Sequence, residues 1–245
     1  MANWSDPRSD IAGFGGPSVA QGAAYDAGLR SYMLSVYNYM ASGVLLTGIV
    51  AVLFASSGLA LQVLGGPGIL KYVIMFAPLV FVMVLSFGIN RLSTAAAQGL
   101  FWAYAAVMGL SLSSIFLVYT DTSIAQTFFA TSAAFVGLSL FGYTTKKDLS
   151  GFGTFLIMGV VGLLVASLIN LFLKSSVMDL VISGVGVLLF AGLTAYDTQK
   201  IKSIYAHVAG TDMMGKSVVM GALNLYLDFI NMFLFMLRFM GGNRD

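Results

Sequence analysis

The stretch KSVVMGALNLYLDFINMFLFMLRFMGG, Lys216–Gly242, decides the fold. From Lys216 to Met240 it reads as an apolar helix with one acid, Asp228, near its middle. At ~1.5 Å per residue the part from Ser217 to Met240 reaches ~36 Å, against ~30 Å of bilayer hydrocarbon, so it spans even when tilted. Asn224, Asp228 and Asn231 fall at i, i+4 and i+7 and share one helical face. Leu223, Leu227, Ile230, Leu234 and Leu237 take other directions. A carboxylic acid at mid-bilayer costs at least ~2.5 kcal/mol on insertion scales, so the polar stripe is expected to face protein or water. Asp228 is therefore expected to be a functional site, its competing role being a structural hydrogen-bond partner of Asn224 or of a neighbouring helix.

Outward from this helix the chain keeps the same character. Of its 245 residues 58% are hydrophobic and only 9% charged, where a soluble domain carries roughly a quarter charged. The composition is that of an all-α polytopic membrane protein. Cysteine is absent, which excludes disulfides, thiolate catalysis and cysteine metal sites. With one His and ten acids, all Asp, a transition-metal site would lack ligands. No Gly-x-Ser-x-Gly element occurs, so serine hydrolysis has no foothold.

Residues 1–31 are rich in Gly, Ala, Ser and Asp and carry Pro7 and Pro17, and they read as a flexible cytoplasmic tail. A seven-helix transmembrane domain is predicted over 32–241, with 242–245 a short C-terminal tail. The spans are predicted at Tyr32–Ala55, Ile69–Ile89, Gln98–Val118, Ile124–Tyr143, Phe152–Leu173, Val177–Tyr196 and Lys216–Met240. Span three carries Ala105, Gly109 and Ser113 at four-residue spacing, a small-residue stripe that admits another helix closely. With the tail and even-numbered loops on one side, that side holds eight cations, Arg8, Arg30, Arg91, Lys146, Lys147, Lys200, Lys202 and Lys216. The other side holds four, Lys71, Lys174, Arg238 and Arg244. The imbalance predicts a cytoplasmic N-terminus and a C-terminus outside.

Span six ends LLFAGLTAYDTQKIK, which puts Asp197 at or just inside the inner boundary, on the side of Arg91. If Asp197 and Asp228 came within ~4 Å, an effective dielectric of ~20 would give ~4 kcal/mol of repulsion between two ionised carboxylates. At ~1.36 kcal/mol per pH unit that is about three units, so such a pair would share a proton and change charge near neutral pH. Depth arithmetic opposes the meeting. Asp228 lies ~18 Å beyond Lys216, whereas Asp197 lies only ~4–8 Å from Lys200 or Lys202. Without a partner Asp197 reads as a solvated loop acid, and Arg91 as a topology anchor reaching the headgroups. His207 reads as a solvated loop residue, and the Met residues as packing.

Ala195-Tyr196-Asp197-Thr198-Gln199-Lys200-Ile201, Leu225-Tyr226-Leu227-Asp228-Phe229-Ile230-Asn231 and Leu237-Arg238 resemble the Bax inhibitor-one family of transmembrane Bax-inhibitor-motif proteins, in its bacterial YccA-like branch. Lys147-Asp148-Leu149-Ser150 also fits, and the likeness runs from Tyr32 to Gly241. The resemblance implies six helices surrounding a central seventh and a pH-sensitive calcium leak in an inner membrane. It also implies Asp197 and Asp228 as the proton-sharing gate and Ca²⁺ ligands, and Arg91 as a latch on one aspartate. Relatives can carry a basic cluster where this chain has Arg91 alone. Asn224 and Asn231 are expected to line the ion pathway, since hard cations take carboxylate and carbonyl oxygens. The alternative the resemblance implies is a regulatory protein that modulates a membrane-bound AAA protease or a stress response, with no transport of its own. An intramembrane aspartyl protease is disfavoured, because Leu225-Tyr226-Leu227-Asp228 is not a Gly-x-Gly-Asp context.

Overall fold

In a computed structural model the described residues are 16–242, and their ordered elements are all helices. Seven are long and apolar enough to cross a membrane. In order the helices of the described residues are α1 (Gly16–Ser56), the short α2 (Leu59–Leu64), α3 (Leu70–Gly88), α4 (Thr94–Leu112), the single turn α5 (Ile115–Val118), α6 (Asp121–Thr144), α7 (Ser150–Leu173), α8 (Ser176–Val208) and α9 (Met213–Met240). Every predicted span has its helix, with α5 completing the third.

Two boundaries depart from the sequence expectation, both at the same end of the bundle. α1 begins at Gly16, so the part of the expected flexible tail that is described is helical; residues 1–15 lie outside the described residues. α8 runs about three turns past Tyr196, through Lys200 and Lys202, to Val208. Each extension supports the other. The Tyr205 ring meets Tyr25 at 5.2 Å and Tyr32 at 5.4 Å between centroids, and its hydroxyl lies over Gly28, which has no Cβ to obstruct it. Leu29, Tyr32 and Tyr205 are buried at this end. Helix residues beyond the bilayer are held by aromatic packing, worth ~0.5–1.5 kcal/mol per ring pair beyond area burial, which composition does not register.

The helix that decided the fold is the one most enclosed by the others: 67% of the α9 span is buried, against 39% for α8 and 11% for α3. It packs against α1, α4, α6 and α8, while α3 packs on α4 and α7 on α8. Direct packing on α9 thus comes chiefly from four helices rather than from the six that the resemblance implies. α4 binds α1 through its small-residue stripe: Ala105, Gly109 and Ser113 are all buried, and a Cβ at Gly109 would lie 2.6 Å from the Thr47 carbonyl oxygen. The Thr47 hydroxyl donates to the Ala105 carbonyl at 2.8 Å, so its 2.7 Å contact with Tyr226 is one in which the tyrosine donates. This joins α1, α4 and α9 at one level. Tyr226 also meets the edges of Phe101 and Tyr104.

Candidate functional site: two carboxyls between α8 and α9

α8 and α9 are consecutive and antiparallel, and their register is pinned where side chains fill glycine notches. Ile201 of α8 lies against Gly221 of α9, and Phe235 of α9 lies over Gly186 of α8. That register carries Asp197 to the level of Asp228. Asp197 sits eleven residues inside the α8 end at Val208, ~16 Å, and Asp228 fifteen residues inside the α9 start at Met213, ~22 Å. The remaining offset is one helical turn, which side chains bridge. The depth gap inferred from the sequence came from ending span six at Tyr196. With α8 continuing to Val208, Lys200 and Lys202 lie about two turns inside its end instead of marking it, and the gap closes.

The Asp197 and Asp228 carboxyls lie close enough to act on each other. Asp228 is buried at 4% exposure, and its Oδ2 has no hydrogen-bond partner. Asp197 is half-buried, and the cation whose charge acts on it is Lys200, one turn along α8. Nearby donors are committed elsewhere. Thr194 donates to the Phe190 carbonyl and Thr198 to the Thr194 carbonyl, at 2.8 and 2.7 Å. The Asn231 amide donates to the Leu227 carbonyl at 2.8 Å. An ionised carboxyl only accepts, so a hydrogen bond between two of them requires a proton on one. Burial raises the stake, because Asp228 Oδ2 has no hydrogen-bond donor on it to receive a second negative charge.

The structure therefore brings Asp197 and Asp228 together and leaves the other candidates apart. Arg91 is exposed in the α3–α4 turn, its backbone N–H donating to Gly88, and no ion pair joins it to either aspartate. Asn224 and Asn231 are half-buried on α9, and neither lines either of two cavities that lie between α1 and α6.

Three polar contacts went unread in the sequence. Arg238 holds Asp179 through two nitrogens, Nε at 2.9 Å from Oδ2 and a second to Oδ1, and so ties the far ends of α8 and α9. Their places at the same end of consecutive antiparallel spans are a signal that could have found them. Gln199, two residues past Asp197, accepts from the Leu149 N–H and donates to the Lys147 carbonyl, both at 2.8 Å, and so fastens the α6–α7 loop to α8. In that loop the Ser150 side chain and then its N–H, the latter donating at 2.9 Å, hold the Asp148 carboxyl below its ordinary value. Third, Tyr37 of α1, Ser139 of α6 and Thr198 of α8 form a hydroxyl chain with steps of 2.6 and 2.9 Å. Because Thr198 spends its proton on Thr194, the chain runs one way, Tyr37 to Ser139 to Thr198.

Comparison with known proteins places this geometry. A family model described as "Inhibitor of apoptosis-promoting Bax1" matches residues 29–245. An uncharacterized protein of Rickettsia prowazekii is 47% identical over 229 residues, covering 93% of this chain and 96% of that one. The inner membrane protein YbhL of Escherichia coli is 46% identical over 240 residues, covering 97% and 98%. An uncharacterized membrane protein of Streptococcus pyogenes is 38% identical over 220 residues, covering 89% and 95%. With seven helices long and apolar enough to cross a membrane and a match across nearly its whole length, the chain is an integral membrane protein that belongs to the Bax inhibitor-1 family.

Proposed function

We propose that the protein is a pH-sensitive cation leak, with Ca²⁺ as the permeant ion, gated by Asp197 and Asp228. One observation carries this reading: the two carboxyls meet inside the bundle, with Asp228 Oδ2 left without a partner. Such a pair changes its charge as one unit, and its ~4 kcal/mol of like-charge repulsion at ~4 Å is enough to shift packed helices between two arrangements. The two acids, with the Asn224 and Asn231 amides along the same face, offer hard oxygens but fall short of the six to eight a tight Ca²⁺ site takes. Among the described residues no cluster of three or more His, Cys, Asp or Glu adds to them. Weak coordination suits an ion that must leave as readily as it enters. The test is Ca²⁺ flux into liposomes bearing the purified protein, expected to change across a midpoint within about one unit of pH 7. A purely regulatory protein, acting on a membrane-bound protease or a stress response, gives no flux above protein-free liposomes at any pH.

In this scheme Arg91 is the latch, and the α3–α4 turn must move to bring it to an aspartate. Arg91→Ala is then expected to raise basal flux by removing the opposite charge that favours the closed arrangement. Flux unchanged at every pH assigns Arg91 to the headgroup anchor instead.

The proposed orientation in a bacterial inner membrane has the N-terminus cytoplasmic and the C-terminus outside, from the cation excess. The chain has no native cysteine, so single introduced ones report cleanly. Cysteines at Ser57, Asp121 and Asn243 are expected to react with an impermeant reagent in intact cells, and one at Asp148 is not. Reaction at Asp148 alone reverses the orientation.

A further inference from the structure

α1 and α6 both lie on α9 without packing along each other, and between them is a cavity of about 880 Å³. Its walls are α1 from Arg30 to Leu45 and α6 from Phe128 to Tyr143, and Phe229 of α9 is its floor. The lining residues Leu34, Leu45, Val136 and Leu140 are 50–66% exposed, so the cavity opens sideways, toward the bilayer. A second cavity of about 560 Å³ continues it, sharing Val44, Leu45, Phe128 and Phe229.

The dimensions and the charge of the first cavity select an occupant. From Arg30 to Leu45 the α1 wall rises ~22 Å, half of the ~40–45 Å of a bilayer counted with its headgroups, so the cavity is one leaflet deep. Its headgroup end is cationic. Arg30 is exposed there, and Lys202 donates to the Tyr143 carbonyl at 2.8 Å with its Nζ 4.8 Å from the centre of the Tyr143 ring. Asp26 lies one turn before Arg30 on α1, and Lys146, Lys147 and Asp148 follow Tyr143 in the α6–α7 loop, so with Lys202 the cations of this end outnumber its acids four to two. Below this end the walls are apolar, with Met40, Val44 and Phe135 among them. The width excludes a partner helix: Tyr37 Oη and Ser139 Oγ are 2.6 Å apart, so one tyrosine side chain bridges α1 and α6. An intruding helix is ~10–12 Å across and packs 8–10 Å from each neighbour, too wide for that gap. A hydrocarbon chain is slender enough.

We infer that the α1–α6 cavity binds an anionic phospholipid of the leaflet on the Arg30 side, with its phosphate on Arg30 and an acyl chain against Val44, Phe135 and Phe229. The occupant would touch α9 at the residue next to Asp228, yet the inference does not depend on what the aspartates do. The test is native mass spectrometry of the full chain titrated with phosphatidylglycerol or phosphatidylcholine. The first phosphatidylglycerol is expected to bind about 5-fold more tightly than the first phosphatidylcholine, the size of one surface cation on an anionic lipid. Arg30→Gln is expected to bring the two lipids close to equality and Arg30→Lys to restore most of the preference. Ala41→Phe on one wall and Leu140→Phe on the other fill the cavity and are expected to weaken the first binding of both lipids. These positions are exposed, so the variants keep the fold. Equal preference in the wild type and Arg30→Gln, or binding unmoved by both fillings, overturns the inference. So does a cysteine at Val136 that crosslinks to a second polypeptide in native membranes.

Discussion

Asp228→Asn is expected to flatten the pH dependence of Ca²⁺ flux near neutrality, and Asp197→Asn to do the same. The two substitutions together should do no more than either alone. The expectation follows from the meeting of the carboxyls between α8 and α9. Asn keeps the shape of Asp but cannot take part in a titration, so either single change leaves one acid with no partner to share its proton. The coupling being removed is ~4 kcal/mol at ~4 Å and ε ~20, about three pH units, which is large against the roughly one-unit scatter of carboxyl titrations in proteins. Residues that act as one unit are non-additive, which is why the double variant adds nothing. Asp148→Asn is the control. The Ser150 side chain and N–H hold the Asp148 carboxyl below its ordinary value, so it is already ionised throughout the neutral range and its replacement leaves the profile alone. If each single variant keeps the wild-type midpoint, the shared proton is not the gate and Asp228 has a structural role.

Gly142→Ala is expected to destabilise the protein, while Gly137→Ala on the same helix is neutral or stabilising. Gly142 is where α6 and α8 touch backbone to backbone. A Cβ there would overlap the Ala195 carbonyl oxygen and lie 2.9 Å from the Ala195 Cα. Those atoms belong to the backbone two residues before Asp197 and have no rotamer to yield, so the helices must part. Overpacking of this kind costs ~1–3 kcal/mol. At ~2–4 °C per kcal/mol that lowers the thermal midpoint of the solubilised protein by roughly 2–12 °C. Gly137 is exposed and has nothing within 4 Å of its would-be Cβ, so the only change is the conformational entropy that Ala saves in a helix, ~0.5–1 kcal/mol. Equal thermal midpoints for the two variants would show that the close approach of α6 and α8 is not what sets their packing.

The seven spans and the inward burial of Asp228 were legible in the sequence because the bilayer enforces them locally. An apolar run of twenty residues has no other low-energy state in hydrocarbon, and an acid within it is too costly to face lipid. The Ala105, Gly109 and Ser113 stripe was legible for a similar reason, since small residues at helical spacing are a surface for close approach whichever helix arrives. The helical extensions of α1 and α8 carried no such signature. Gly22–Arg30 and Lys200–Val208 are polar enough to pass for loops, and they are helices because Tyr205 packs on Tyr25, Gly28 and Tyr32 across a separation of more than 170 residues.

By itself the sequence determined an all-helical membrane protein, the order of its spans and the two aspartates worth watching. The helices and Asp228 follow from hydropathy, helical period and the cost of buried charge, all of which act within a segment, whereas Asp197 was raised above a solvated loop acid by the motif it shares with the family. Only the tertiary structure decided that Asp197 and Asp228 meet, that Arg91 stands apart from them, and that α1 and α6 part to leave a cavity one leaflet deep. Each of these depends on the register and spacing of whole helices. Register is set where a side chain fills a notch in the neighbouring helix, as Ile201 does at Gly221 and Phe235 at Gly186. Such a fit is a property of two surfaces together, and neither segment carries it alone.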